Sequence, residues 1–351
     1  MSRAIQLAKR GRYTCDPNPR VACVITKGNQ IIAEGWHAVS GEAHAEINAL
    51  NQCDDASDST VYVTLEPCSH HGRTPPCVDA LIKANVKEVI VAMPDPNPLV
   101  SGSGIKQLEN AGIIVKQGLL EAEAIKLNPG FIKRMTSAMP YVRCKMAMSL
   151  DGRTALANGD SQWISSSQSR QDVHRLRAAS GAILTTVETV IKDDPSLNAR
   201  ELEFEIKQPL RIIIDRELKT PPQAKLFSLL AKVIIYTETE NKDRISKLSS
   251  VGAEVVSLST SESWLINVFS HLAKEYEINE VMIEAGATFS GALIEAGLVD
   301  ELVIYMASML LGDSSQPLLK LNPLDKLSEA KKLDLIDVRQ FGKDIRLTYN
   351  L

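Results

Sequence analysis

The sequence lacks any stretch that approaches the roughly 18 uninterrupted apolar residues of a membrane span. Its first residues enter an amphipathic pattern directly, without the apolar core of a secretion signal. No internal repeat and no low-complexity tract interrupts the chain. We therefore expect a cytoplasmic protein with no membrane partner.

The chain also lacks the runs of Lys or Arg that follow a nucleic-acid backbone, and its formal net charge is −4. This balance disfavours a polynucleotide partner, whereas a small anionic substrate needs only one or two local cations. Six cysteines in 351 residues are too few to indicate a disulfide scaffold, so reduced thiols are expected. Any clustered pair of thiols is then available for metal binding or catalysis.

The length of 351 residues exceeds that of a usual single core, so two domains are expected. Strand-like and helix-like segments alternate almost throughout, which predicts layered α/β domains. The pattern changes after residues 127–130, and a new strand begins at Tyr141 behind Met139 and Pro140. We predict a first domain over residues 1–140 and a second over residues 141–351.

One group in the first half has the composition of a zinc site. His44 opens a segment with helical spacing over residues 43–52, and a strand ending at Leu65 runs into a loop with Cys68 and Cys77. An imidazole and two thiolates suit tetrahedral Zn²⁺, and three protein ligands leave the fourth position for water. That arrangement is catalytic, because zinc lowers the pKa of the water. Glu46 is placed to move protons without binding the metal.

The order His-x-Glu, then Pro-Cys and a second Cys, is the signature of nucleobase and nucleotide deaminases. A lone His-x-Glu at a helix start is common, so the combination carries the prediction. Eight residues separate the two cysteines here instead of two, which argues against a simple zinc finger. The intervening loop contributes His70, His71 and Arg73 as possible substrate contacts. Either histidine could instead replace one of the expected metal ligands.

Two further polar segments could line the same pocket. Residues 16–20 form a turn braced by two prolines before the first strand, and residues 95–98 follow the strand that ends at Met93. The carboxyl edge of strands is where α/β proteins usually place ligands. Asp, Asn and Pro are also favoured in turns regardless of function. Asn18 and Asp95 are therefore candidates that turn chemistry explains equally well.

No Gly-x-Gly-x-x-Gly follows a strand in the second half, which disfavours a standard dinucleotide fold. Instead a strand over residues 281–283 leads through Glu284, Ala285 and Gly286 into a helix near Thr288. Small residues at a helix N-terminus expose backbone N–H groups that can bind phosphate. The same sequence is compatible with an ordinary strand–helix turn.

Taken together, these motifs closely resemble those of the bifunctional deaminase–reductases of riboflavin biosynthesis, the RibD family. The likeness spans nearly the whole chain, and the eight-residue gap between the cysteines is the family's own pattern. In the first half it rests on residues 17–21, 44–46, 64–77 and 95–100. In the second half it rests on residues 149–155, 161–164, 193–197 and 284–288.

The resemblance implies an α/β fold with a cytidine-deaminase-like three-layer N-terminal domain and a dihydrofolate-reductase-like C-terminal domain. It implies hydrolysis of the 2-amino group of 2,5-diamino-6-(5-phosphoribosylamino)pyrimidin-4-one with release of ammonia. The ribosyl group of the resulting 5-amino-6-(5-phosphoribosylamino)uracil would then be reduced to ribityl with NADPH. Zn²⁺ and NADPH are the implied cofactors, phosphorylated pyrimidines the substrates, and a homo-oligomer the implied assembly.

The resemblance also implies residue roles. Contacts to NADPH would come from Ala147, Trp163, Thr189, Asp193, Gly286, Ala287, Thr288, Phe289, Ser290, Gly291 and Ala292. Substrate contacts would come from Asn18, His70, Arg73 and Asp95 in the first domain and from Ser161, Arg177, Leu197, Arg200 and Glu284 in the second.

Arg177 and Arg200 suit a substrate phosphate, because guanidinium groups bind phosphate well, although each could be a solvated surface charge. One stretch departs from the family pattern. The family usually has Gly or Ser just after the strand that ends at Leu184, and this chain has Thr185, Thr186 and then Glu188. A carboxylate near the cofactor phosphates would weaken binding unless it points to solvent.

Two alternatives stay open at this point. One is a monofunctional deaminase of free nucleosides or tRNA, which would leave the second half without a role. The other is a zinc-stabilised binding protein without catalysis, which predicts a closed site with four protein ligands and no role for Glu46.

Overall fold

The computed structural model describes residues 1–70, 75–98 and 100–351. The chain divides into two units, each with its own sheet. The first comprises Met1–Pro140 together with Glu277–Asn279, and the second comprises Tyr141–Tyr276 and Glu280–Leu351. The layered α/β class predicted from the alternation of elements is confirmed in both units.

The first unit is built on a five-stranded sheet with the order β2-β1-β3-β4-β5. Strand β1 pairs antiparallel with β2 and β3, whereas β3, β4 and β5 run parallel. The carboxyl ends of β3 and β4 therefore lie at the same edge of the sheet. The strands are β1 (Ala22–Lys27), β2 (Gln30–Trp36), β3 (Thr60–Val63), β4 (Glu88–Val91) and β5 (Ile114–Gln117).

Helices cover both faces of this sheet, because successive side chains of a strand point to opposite sides. On β1, Cys23 and Ile25 pack against α2 and α3, whereas Ala22 and Val24 pack against α1. The result is a three-layer arrangement of helix, sheet and helix. The helices are α1 (Ser2–Ala8), α2 (Ala45–Leu50), α3 (Cys77–Lys83), α4 (Ser103–Asn110), α5 (Glu121–Ile125) and α6 (Pro129–Ser137).

Helix α2 lies unusually close to strand β2, and Gly35 permits this approach. A Cβ atom at position 35 would overlap the carbonyl oxygen of Ala45 and the backbone nitrogen of Ala49. The residue before the helix, His44, is extended with φ −71° and ψ 167°, so the helix begins later than its sequence pattern indicated. This close contact sets the distance between the sheet and the residues His44 and Glu46.

The second unit is built on a nine-stranded sheet with the order β11-β10-β9-β8-β12-β6-β13-β16-β15. Pairing is parallel from β11 to β13 and antiparallel at β16 and β15. A short pair, β7 with β14, lies outside it. The strands are β6 (Tyr141–Ser149), β7 (Arg153–Ala155), β8 (Ala182–Thr186), β9 (Leu210–Ile214), β10 (Val233–Thr237), β11 (Ala253–Ser257), β12 (Glu280–Ile283), β13 (Glu301–Ala307), β14 (Gln316–Pro317), β15 (Asp334–Phe341) and β16 (Asp344–Asn350).

The central strands of this sheet are buried along their whole length, which is typical of parallel strands covered on both faces. Helices α8 and α9 pack on β9 and β10, and α7 packs on β12 and β13. The helices are α7 (Ser167–Ala178), α8 (Val187–Asp193), α9 (Lys242–Ser250), α10 (Trp264–Glu275) and α11 (Ala287–Glu295). Among the described helices, none has the length and apolar character needed to cross a bilayer.

Candidate metal centre and reductase site

The three side chains predicted to bind zinc converge in the first unit. The Nδ1 atom of His44 lies 3.5 Å from the Sγ atom of Cys68 and 3.3 Å from that of Cys77. One ligand atom from each residue lies within 4.8 Å of the others, and no further such group occurs within residues 1–70, 75–98 and 100–351. One nitrogen and two sulfurs at this spacing fit a zinc ion with an open coordination position.

Three different elements deliver these ligands. His44 immediately precedes α2, Cys68 lies in the loop after β3, and Cys77 is the first residue of α3. The backbone N–H of Cys77 donates to the Sγ atom of Cys68 at 3.3 Å. A hydrogen bond from the Cys77 thiol and one with His44 lower the pKa of Cys68 to about 4. The hydrogen bond with Cys68 raises the pKa of Cys77. The two thiols therefore lose one proton readily and hold the second one firmly.

Glu46 lies in the first turn of α2 and is only 3% exposed. Burial and the negative charge of Cys68 raise the pKa of its carboxyl to about 7. A buried carboxyl that titrates near neutral pH can accept and return a proton under working conditions. The sequence placed Glu46 beside the ligands, and the fold puts it in a water-poor position where proton transfer is effective.

A histidine that the sequence interpretation missed connects Asn18 to this cluster. His37 is buried, and its ring meets the ring of His44 edge to face at 5.4 Å between centroids. The carbonyl of Ala43 can only accept, so the Nδ1 atom of His37 donates to it at 3.1 Å. The Nε2 atom then accepts from the side-chain amide of Asn18 at 3.0 Å. The signal was a histidine directly after a strand, in Gly-Trp-His.

The other substrate candidates of the first unit are distributed differently. Asp95 is partly buried, and burial raises the pKa of its carboxyl. The negative charges of Glu66 and Cys68 raise it further, whereas the hydrogen bond from Asn97 and the charge of His70 oppose the shift. Its Oδ1 atom accepts the N–H of Asn97 at 2.8 Å, which closes a tight turn. His70 is exposed. Arg73 and the neighbouring His71 lie outside the described residues.

In the second unit, Arg177 on α7 and Glu284 at the end of β12 form a two-pronged ion pair. Arg177 donates from Nε to Oε1 at 2.6 Å and from Nη2 to Oε2 at 2.8 Å. Its Nη1 atom donates to the carbonyl of Asn198 at 3.1 Å. Burial opposes the charge on Glu284, but Arg177 outweighs it and lowers the pKa to about 2. Both residues are therefore charged at neutral pH.

Lys145 on β6 is a second residue that the sequence interpretation missed. Burial lowers the pKa of its ammonium group, although the charge of Glu284 opposes the shift. Its side chain makes no hydrogen bond or ion pair with the described residues, and the Nζ atom lies 6.0 Å from the centre of the Tyr305 ring. A lone lysine inside an apolar strand was the available signal. A partly buried cation without a hydrogen-bond partner is a candidate for contact with substrate.

The proposed cofactor residues occupy several environments. Trp163 is 65% exposed and lies beneath the guanidinium of Arg170, 4.6 Å from the ring centre. Asp193 is exposed at the end of α8, whereas Thr189 on the same helix and Ala147 on β6 are partly buried. Ser161 is also partly buried in the loop before Trp163.

The turn into α11 presents a mixture of open and packed positions. Gly286 precedes the helix and has open space where a Cβ would stand, and Thr288 and Ala292 are exposed. Ala287 and Phe289 are partly buried. Ser290 is fully buried and donates to the carbonyl of Ala285, and Gly291 packs against the backbone of Lys320. Ser290 and Gly291 therefore contribute to the packing of the helix.

The remaining residues differ in exposure and in partners. Leu197 is buried and adopts a positive φ of 44°, whereas Arg200 is exposed and donates to the side chain of Asn198 at 3.1 Å. Thr185 is buried and donates from its hydroxyl to the carbonyl of Glu284 at 2.6 Å. Glu188 is exposed in the first turn of α8.

Comparison with known proteins agrees with this geometry. Residues 1–93 match the family described as cytidine and deoxycytidylate deaminase zinc-binding region, and residues 140–347 match the RibD C-terminal domain. The protein is thus a zinc-dependent deaminase joined to a reductase. The chain belongs to the RibD family of bifunctional riboflavin-biosynthesis enzymes.

Full-length relatives support that statement. Riboflavin biosynthesis protein RibD of Escherichia coli is 44% identical, over 99% of this chain and 97% of the relative. A solved structure of Acinetobacter baumannii RibD is 45% identical with a TM-score of 0.93, covering 99% and 97% of the two chains. A Thermotoga maritima structure described as a diaminohydroxyphosphoribosylaminopyrimidine deaminase/5-amino-6-(5-phosphoribosylamino)uracil reductase is 33% identical with a TM-score of 0.88, covering 100% and 97%.

These findings confirm the predicted family, the deaminase-like and dihydrofolate-reductase-like fold classes, the two enzyme activities and the cofactors Zn²⁺ and NADPH. A monofunctional deaminase or a binding protein without catalysis does not account for a chain that matches the family from end to end.

The ion pair of Arg177 and Glu284 makes a prediction about stability. Both side chains are at most 14% exposed. Glu284→Gln leaves a buried guanidinium with an incomplete set of acceptors, so we expect the free energy of unfolding at pH 7 to fall by about 1–3 kcal/mol. The folded pKa of about 2 lies below the ordinary 4.5. The contribution is therefore complete above pH 4.5 and is lost as the pH falls towards 2.

Urea unfolding of both proteins across this pH range measures the difference. Glu217→Gln is the control, since it removes the exposed partner of Lys219 in the same unit and is expected to leave stability nearly unchanged. A difference between wild type and Glu284→Gln that stays constant down to pH 2 would contradict the prediction.

Proposed function

We propose that the first unit hydrolyses the 2-amino group of 2,5-diamino-6-(5-phosphoribosylamino)pyrimidin-4-one and that the second reduces the ribosyl group of the deaminated product to ribityl. The convergence of His44, Cys68 and Cys77 beside the buried Glu46 is the observation that carries the first step. The activities in the description of the T. maritima relative support the choice of substrates. The proposed boundaries are residues 1–140 for the deaminase and 141–351 for the reductase.

For deamination, His44, Cys68 and Cys77 are the proposed zinc ligands. Zinc bound there supplies a Lewis acid that makes water nucleophilic near neutral pH. Glu46 accepts a proton from the attacking water and delivers it to the departing amino group, so water and the C–NH₂ group become C=O and ammonia. The pKa of about 7 suits Glu46 to both transfers.

Substrate contacts in the first unit are proposed for Asn18, His70, Arg73 and Asp95. The link from Asn18 through His37 to His44 supports a place for the Asn18 amide at the edge of the metal cluster. For Asp95, the support is that both Cys68 and His70 lie near enough to influence the pKa of its carboxyl. His37 is a positioning residue in this scheme.

For reduction, NADPH supplies a hydride, and the protein holds cofactor and substrate in a fixed relation. The proposed cofactor contacts are Ala147, Trp163, Thr189, Asp193, Gly286, Ala287, Thr288, Phe289, Ser290, Gly291 and Ala292. Open space at Gly286 and the exposed ring of Trp163 support this set. Exposure of Glu188 is compatible with a cofactor phosphate near the same end of the sheet.

The substrate of the reductase is proposed to meet Ser161, Arg177, Leu197, Arg200 and Glu284. Arg200 is exposed and can donate hydrogen bonds to a phosphate. In Arg177, by contrast, Nε, Nη1 and Nη2 already donate to Glu284 and Asn198. Arg177 therefore acts mainly by holding Glu284 in place. Lys145, with a lowered pKa and no hydrogen-bond partner in the described chain, is the proposed group that holds a proton at a substrate oxygen.

The working environment is proposed to be the cytoplasm, without nucleic-acid or membrane partners. Support comes from the six cysteines, which are all free thiols in this structure, including the pair that must stay reduced to bind zinc.

The role of Glu46 can be tested directly. Glu46→Gln keeps the shape of the side chain and removes its ability to exchange a proton, so we expect ammonia release to fall by about 10²–10⁴-fold. Zinc content should stay unchanged because the three ligands are intact. Ammonia production with the diaminopyrimidine phosphate and metal analysis of the same samples provide the two readouts. Glu42→Gln, an exposed carboxylate four residues away, is the matched control. Full deamination by Glu46→Gln would remove Glu46 from the mechanism.

The reductase is tested in a coupled assay, with and without NADPH. We expect the wild type to consume NADPH only when the deaminated intermediate is present. Gly286→Leu places a side chain in the open space before α11 and should raise the KM for NADPH by at least about tenfold, with ammonia release unaffected. Unchanged NADPH kinetics would show that the turn does not hold the cofactor. A wild-type protein that neither binds nor oxidises NADPH would end the reductase proposal.

A homo-oligomer is proposed from the exposed edge of the second sheet. Within the part of the chain that the structure describes, strand β15 pairs only with β16, and it exposes Leu335, Ile336 and Val338, each at least 50%. An unpaired apolar edge is a template for association, and a second copy of the same edge is the simplest occupant. Val338→Lys is expected to lower the molar mass measured by light scattering, whereas Ile266→Lys on α10 should not. A wild-type monomer at micromolar concentration would refute the proposal.

A further inference from the structure

Glu66 is a buried carboxylate with no role so far. It lies between strand β3 and the metal-ligand Cys68, and it is only 4% exposed. Its Oε2 atom accepts the backbone N–H of Asp95 at 3.0 Å and that of Gly102 at 2.9 Å. Its Oε1 atom accepts the N–H of Gly104 at 2.9 Å. Both oxygens are therefore used, and every one of these donors belongs to the backbone.

Two of these donors, Asp95 and Gly102, lie in the connection between β4 and α4, and the third, Gly104, lies in the first turn of α4. Gly102 precedes α4 with a φ of +79° and has no side chain that could accept from the first turn of the helix. Glu66 supplies that acceptor from another part of the chain. A carboxylate at the positive end of a helix is also stabilised by the helix dipole. The bonds therefore tie the connection and the start of α4 to Glu66, in addition to the local hydrogen bonds that Val100 and Ser101 donate to the carbonyl of Asn97.

Close contacts between the same two loops reinforce this arrangement. A Cβ at Gly104 would overlap the carbonyl oxygen of Pro67, so the two backbones lie in direct contact. The N–H of Glu66 donates to the carbonyl of Met93 at 3.0 Å. The hydroxyls of Ser69 and Ser103 share a hydrogen bond. The loop that carries Cys68 and the segment that carries Asp95 thus form one connected structure.

We propose that Glu66 is a positioning residue of the deaminase site: its carboxylate ties the backbone N–H groups of Asp95, Gly102 and Gly104 to the loop of Cys68 and so holds Asp95 where the substrate binds. The inference rests on the proposed deamination and on Asp95 as a substrate contact. In this scheme Glu66 acts through Asp95. It orders the residues around Asp95 before the substrate binds, so that binding does not have to offset the loss of conformational entropy.

The test is Glu66→Gln in the full-length protein. One oxygen becomes an NH₂ group, so at least one backbone N–H loses its acceptor and faces a donor instead. We expect the KM for deamination to rise about tenfold or more, with a much smaller change in kcat and unchanged zinc content. Loss of zinc, or a lower melting temperature with an unchanged KM, would overturn the proposal.

A double-mutant cycle separates positioning from general stability. Asp95→Asn is also expected to raise the KM, and adding Glu66→Gln to it should then have little further effect, because Glu66 acts through Asp95. Fully additive effects on KM would overturn the proposal. Asp215→Asn is the matched control, since that buried carboxylate in the second unit accepts the N–H groups of Lys219 and Thr220. It should lower stability without changing the KM for deamination.

Amide hydrogen exchange in the wild type provides a test that needs no variant. The N–H groups of Asp95, Gly102 and Gly104 should exchange slowly, and rapid exchange at all three would overturn the proposal even if Glu66→Gln did not fold. A wild-type protein with slow exchange but no deamination of the pyrimidine would instead refute the proposed function. The two failures are therefore distinguishable.

Discussion

The parallel pairing of β3 with β4 is the constraint on which the deaminase half depends. It brings the loop with Cys68 and the segment with Asp95 to the same edge of the sheet. The close approach of α2 to β2 at Gly35 then delivers His44 and Glu46 to the cluster formed with Cys68. No one of these elements makes a site alone. The chemistry follows from the geometry of the sheet because ligands from distant parts of the sequence meet only where the strand ends meet.

Two carboxylates in this half show how surroundings divide one functional group between two tasks. Backbone N–H groups donate to both oxygens of Glu66, so in the proposed scheme it serves as a fixed acceptor that joins two loops. Glu46 is equally buried, but burial and the negative charge of Cys68 dominate its environment, and its pKa rises to about 7. The first arrangement gives rigidity, and the second gives a proton that can move. The site needs both, because proton transfer requires a substrate held in register.

The sequence predicted the parts of this site that depend on residue type and spacing. The ligand set was readable because imidazole and thiolate chemistry limits what such a cluster can bind, and the alternation of elements predicted the layered fold. His37, Glu66 and Lys145 were missed because their importance arises from contacts between distant segments. His37 contacts Asn18, 19 residues before it in the sequence, and the ring of His44, while the three donors to Glu66 come 29 to 38 residues after it. Local pattern cannot report such partners.

The departure from the family pattern at the end of β8 is another feature whose effect depends on contacts between distant segments. From the sequence, a carboxylate at Glu188 near the expected cofactor phosphates would weaken binding unless it points to solvent. In the fold, the Thr185 hydroxyl donates to the carbonyl of Glu284 and ties the end of β8 to that of β12. It therefore supports the strand end that presents Glu284 to Arg177, while the nearby Glu188 is exposed. The threonine side chain is therefore used in a hydrogen bond between neighbouring strand ends, a role that depends on the pairing of β8 with β12 and that the local sequence does not reveal.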